Sequence, residues 1–139
     1  LALLEKAWEV QDGLSAGEAS RPKAFVEVNI ADAMIRMGRH AEALEWAERA
    51  LAGAVEVIEP DQWVLGHFRN VHADALRLNQ RLDEALEAAL QAERLFQNSE
   101  VPVRPQSIED NVLNLARIHE QLGQLDEARR YRSRLAESF

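Results

Sequence analysis

Apolar residues recur along the chain at three- and four-residue steps. Val26, Ile30, Ala33, Met34 and Met37 form one such stripe. Ala43, Leu44, Ala47, Ala50, Leu51 and Ala54 form another. This spacing puts each set on one face of an α-helix, with polar residues opposite. Helix breakers punctuate the pattern at Pro22, at Glu59-Pro60-Asp61, and between Asn98 and Pro105, where two prolines fall. The pattern predicts helices over 23–37, 41–58, 61–78, 83–97, 107–121 and 125–137. Leu1 to Asp12 reads as one more, giving seven helices and no sheet.

The stripes repeat. Anchored on Gly38, Gln80 and Gly123, three segments align at spacings of 42 and 43 residues. Ala31, Ala73 and Ala116 stand seven residues before the anchors. Ala43, Ala85 and Ala128 stand five after, and Ala50, Ala92 and Leu135 twelve after. A repeat at fixed period is the signature of a stacked array, in which each unit buries its face only against its neighbours. Each unit reads as two helices. Gly38 supplies a left-handed turn between them, and the small residues let the pair approach closely. Composition agrees: of 139 residues, 22 are Ala, 18 are Leu and none is Thr, which favours helix over strand. The 14 Arg against 2 Lys suggest, by association and not by physics, a GC-rich, bacterial genome.

The small residue, the turn Gly and the two later Ala positions resemble tetratricopeptide repeats. The resemblance covers residues 23–139. Its long period is similar to the kinesin light chain-like variety. Gln80 departs from the turn Gly, and His40, Leu82 and Leu125 depart from the commonly aromatic position two residues on. The resemblance implies an all-α fold, a right-handed α-solenoid of antiparallel helix pairs. It divides the chain into residues 1–20 (the second helix of an incomplete preceding unit, and a loop), 21–59, 60–104 and 105–139. It also implies a concave groove lined by the first helix of each pair. In the first unit that groove includes Val28, Asn29, Asp32 and Arg36. In the second it includes His67, Asn70, Asp74 and Arg77, and in the third Asp110, Asn114, Arg117 and Glu120.

Within that groove Asn29, Asn70 and Asn114 recur at nearly one height, one residue out of register in the second unit. An amide offers donors and an acceptor, which suits a peptide backbone. The competing reading is that these amides bond neighbouring backbone groups. Arg36, Arg77 and Arg117 are candidate contacts for carboxylates, unless Asp32 and Asp74, one turn earlier, pair with the first two. His40, His72 and His119 read as packing residues and His67 alone as a groove residue. Trp8 and Trp63 read as packing; Trp46 is open between packing and partner contact.

Composition narrows the rest. The formal net charge of −8 argues against a nucleic-acid partner, which needs Lys and Arg facing phosphates. No apolar run reaches the roughly 18 residues of a membrane-spanning helix, and no secretory signal pattern is present. With no Cys there is no disulfide and no thiolate zinc site. No phosphate-cradling loop, nucleophile elbow or HExxH motif occurs. The expectation is a non-catalytic chain with no cofactor and no metal, cytoplasmic by default, that binds a protein or peptide partner in its groove.

Two rival roles remain in view. One is a regulatory or sensor module of a larger bacterial signalling protein. The other is self-association as a homodimer through the N-terminal edge, where Leu1, Leu3 and Leu4 open in mid-unit. That opening suggests the C-terminal piece of a longer protein. Arg132, standing where Ala47 and Ala89 stand in the other units, suits a polar last helix with no further unit after it.

Overall fold

A computed structural model describes the backbone of residues 1–12 and 16–137, and the side chains of residues 1–9 and 23–137. The described residues form seven helices: α1 (Ala2–Asp12), α2 (Ala16–Arg36), α3 (His40–Val57), α4 (Trp63–Leu78), α5 (Leu82–Gln97), α6 (Pro105–Gln121) and α7 (Leu125–Glu137). The described residues contain no strand. Helix α2 packs on α3, α4 on α5, and α6 on α7. These antiparallel pairs stack through α3 on α4 and α5 on α6, and the first helices touch along α2–α4–α6. The fold is therefore an all-α solenoid, and α1 closes one end against α2.

Most helix ends fall within two residues of the pattern. The exception is the start of α2, which lies at Ala16 and not at 23. Pro22 sits inside the helix instead of opening it. As the seventh residue of the helix it lies past the opening turn, and its missing N–H leaves one intrahelical bond unmade. Residues 16–20, expected to belong to a loop, are part of α2, and residues 13–15 lie outside the described residues.

Burial explains the repeated small residues. Ala31, Ala73, Ala116, Ala43 and Ala85 are all 0% exposed, and Ala128 is 2% exposed. Each lies where the two helices of a pair cross, so a larger side chain would have to push the backbones apart. Gly66 marks a tighter approach. A Cβ built there would lie 2.7 Å from the Phe96 ring, so α4 meets the end of α5 only because residue 66 has no side chain.

The three turns are copies of one motif. Gly38 N–H donates to Ile35 O at 3.1 Å and Arg39 N–H to Met34 O at 2.9 Å. Gln80 and Arg81 repeat the pair onto Arg77 O and Leu76 O, and Gly123 and Gln124 onto Glu120 O and His119 O. This is the Schellman closure, which requires a left-handed residue just past the helix. Gly38 and Gly123 adopt φ of 76° and 78°, and Gln80 adopts 63°. The departure from glycine leaves the geometry intact and places a side chain in a conformation disfavoured by roughly 1 kcal/mol or more.

Trp8 and Trp46 meet edge to face at 5.5 Å between α1 and α3. Trp8 Nε1–H donates to the buried Glu27 carboxylate at 3.1 Å. Arg49 lies over Trp46, 4.5 Å from its centroid. The Trp46 question is thereby answered in favour of packing.

Two substitutions test this account. Gln80→Gly relieves the left-handed strain and is expected to raise stability by about 0.5–1 kcal/mol in chemical denaturation, net of the greater freedom of the unfolded chain. Gly66→Ala pushes a methyl into Phe96 and is expected to lower stability by about 1–3 kcal/mol.

Candidate functional site

Helices α2, α4 and α6 present one face to a shared cavity of about 480 Å³. Asn29, Asp32 and Arg36 reach it from α2, and His67, Asn70 and Asp74 from α4. Asn114 and Arg117 reach it from α6. With Asp110, also on α6, nine of the twelve groove residues named from the sequence line one space. Arg77 and Glu120 lie outside its lining. Val28, named as a groove position, is 1% exposed in the core instead. Two lining residues went unnoticed in the sequence, Arg104 and Gln106. They come from the loop and first turn of α6, beyond the span where the repeat positions align.

The three asparagines do not act as one set. Asn29 is exposed. Asn70 and Asn114 are 6% and 5% exposed and bond to each other. Asn114 Nδ2 donates to Asn70 O and to Asn70 Oδ1, both at 3.1 Å. A fourth amide completes the cluster. Asn111 Nδ2 donates to Asn70 Oδ1 at 3.1 Å and to Ala89 O at 3.0 Å. The two main-chain carbonyls can only accept, so they fix the orientation of all three amides. What remains is defined by subtraction. Asn70 Nδ2 and Asn114 Oδ1 have no hydrogen-bond partner among the described residues. Both residues are more than nine-tenths buried, and both line the cavity. One donor and one acceptor thus stand unpaired in its floor.

The signal for this cluster was present in the register. Asn70 sits ten residues before its anchor, at the offset of buried Val28. Asn111 sits twelve before, at the offset of buried Phe68. Amides at core offsets must bond one another or the neighbouring main chain.

Charge in the groove is largely cancelled from within. Arg36 pairs with Asp32 at 2.7 Å, and Arg77 with Asp74 at 2.7 Å while also donating to Gln121 at 3.0 Å. Glu120 is held by Arg132. Asp110 accepts from Gln106 at 2.8 Å. Arg104 and Arg117 make no ion pair with any described residue. His67 is half-buried between Asp32, Arg104 and Asp110. Its pKa is lowered, first by burial, so the ring is neutral at pH 7. His72 is lowered by burial too, away from the cavity lining. A second cavity of about 400 Å³ adjoins the first through Asn29, His67 and Arg104, and is walled by Phe25, Trp63 and Val64. Among the described residues no group of three or more His, Asp or Glu could hold a metal ion. No described helix is long and apolar enough to cross a membrane.

The sequence pattern of the tetratricopeptide repeat family matches residues 22–98, more than half the chain. The chain belongs to the tetratricopeptide repeat family. A second match to the same repeat covers residues 112–130, so the family pattern reaches all three helix pairs. Tetratricopeptide repeats generally mediate protein–protein interaction. No curated protein matches this chain.

Two expectations follow for the repeat array. Asn111→Ala removes the donor that joins Asn70 to Ala89 and should lower unfolding free energy by about 1–3 kcal/mol. Asn29→Ala, at an exposed site, should change it by less than about 0.5 kcal/mol. The second expectation concerns pH. The folded pKa values of His67 and His72 lie below the unfolded value of about 6.5, so below that value the unfolded chain binds protons more readily. Stability is full above about pH 6.5 and falls as the pH drops below it. Thermal melts should show a lower Tm at pH 5.5 than at 7.5, with the difference reduced in His67→Gln/His72→Gln.

Proposed function

We propose that the chain is a non-catalytic interaction scaffold whose concave groove holds an extended segment of a partner polypeptide. The observation that carries this reading is the pair of unpartnered polar atoms in the groove floor, Asn70 Nδ2 and Asn114 Oδ1. A buried donor and acceptor left unpaired are costly. A peptide unit supplies the complementary carbonyl and N–H, so a main chain laid over Asn70 and Asn114 satisfies both at once. Asn29, exposed on the opposite wall, adds a third amide. Recognition through backbone groups leaves side-chain choice to the charged residues and to the apolar pocket beside Phe25 and Trp63. The 42- and 43-residue unit spacing supports placing the array with the long-period, kinesin light chain-like variety.

An array of unrelated synthetic peptides, probed with the purified chain, yields ligands for calorimetric titration. Asn70→Asp keeps the acceptor that Asn111 and Asn114 use and deletes the free donor. It should weaken binding about tenfold. Asn29→Ala should weaken binding while leaving Tm unchanged. Arg129→Ala, on α7 and outside the groove, should change neither. Affinities indifferent to both Asn variants would overturn the reading.

A further inference from the structure

Helix α6 forms the longest wall of the groove. Its lining runs from Arg104 to Arg117, against Asn29–Arg36 on α2 and His67–Asp74 on α4. Thirteen residues at about 1.5 Å rise separate Arg104 from Arg117 by roughly 20 Å. Asp110 lies between them, roughly 9 Å from one and 10 Å from the other along the axis.

These three charges differ from the rest of the groove. In the first two units the acid six residues before the anchor neutralises the arginine that follows it, as Asp32 does Arg36 and Asp74 does Arg77. In the third unit the order is inverted. Arg117 occupies the position of the acid, and the acid that follows, Glu120, is taken by Arg132 of α7. Arg117 is therefore left without an ion pair among the described residues, and Glu120, which feels its charge, is already bonded to Arg132. Arg104 is likewise without an ion pair. Asp110 accepts from the neutral Gln106 amide and faces the neutral His67 ring. Once internal pairs are set aside, the groove presents plus, minus, plus at nearly even steps along one wall.

From this, and resting on the peptide-groove reading above, we infer that the partner segment carries acid, base and acid at every third residue. A polyproline II chain advances about 3.1 Å per residue with three residues per turn, so every third side chain faces the same wall. Twenty ångströms is then six residues and the midpoint three. The segment is a heptamer register with carboxylates at positions one and seven, facing Arg104 and Arg117, and an amine or guanidinium at position four, facing Asp110. Its main chain runs over Asn70 and Asn114. Adjacent acids do not satisfy this spacing, and neither does a uniformly acidic segment, which brings a carboxylate against Asp110. The specificity is a charge register and not an overall preference for acid.

The test uses the full chain and three fluorescein-labelled heptapeptides on an alanine background. The first has Asp at positions one and seven and Lys at four. The second has Ser at all three. The third has Lys at one and seven and Asp at four. Anisotropy titrations should rank the first tightest, the second about tenfold weaker, and the third weakest. Arg117→Glu should weaken the first peptide about tenfold or more, and a version with Lys at one end only should recover most of the loss. Recovery by a matched charge is not expected from a merely misfolded variant. Equal binding of all three peptides, with the Asn70→Asp effect intact, would overturn the charge register and leave the groove reading standing. Absence of binding by every peptide would overturn both. Tighter binding of a single-stranded RNA dodecamer than of the first peptide would also overturn the proposal.

Discussion

The close crossing of paired helices is the constraint on which everything else here depends. At six crossing points the side chain is a single methyl group with almost no exposure. The backbones therefore meet at a spacing set by Cβ atoms, and the repeated left-handed turns return the chain at the same angle each time. Because the crossings are alike, the first helices of successive pairs line up side by side. Residues forty-two or forty-three positions apart in sequence become neighbours in space. That alignment turns scattered polar residues on three helices into one wall and floor.

The floor and the rim obey different physics. In the floor, away from water, amides can be tolerated only as a bonded cluster, and the bonds reach across α4, α5 and α6. At the rim, water screens charge, and pairs such as Arg36–Asp32 hold little energy. Their effect is to remove charge from the field a partner meets. What a ligand senses is the remainder, set by which residues were left out of the pairing.

Much of this was legible before any coordinates. Helix periodicity and the small residues at matched offsets follow from local geometry and repeat three times, so the signal adds. The groove followed from the same offsets, and nine of its twelve named residues share one cavity. The failures have a common cause. Asn70 stands one residue out of register, at a core offset, so its bonds to Asn111 and Asn114 cannot be read from polarity alone. Asn111 was passed over for the same reason. Arg104 lies in a loop, where periodicity says nothing about direction. Pro22 was read as a stop although α2 begins ahead of it.

The amide cluster also makes the solenoid uneven as a mechanical object. Between the second and third units, directional hydrogen bonds hold α4, α5 and α6 in one register, so sliding there means breaking them together. Between the first and second units the described contacts are mostly apolar, among them the Phe25–Phe68 ring pair, with Asn79 bonded to His40 O near the turn. Apolar surfaces resist separation but have weak preference for any one angle. The two joints therefore differ in kind: the second sets its angle through bonds between amides and main chain, the first through the fit of apolar surfaces.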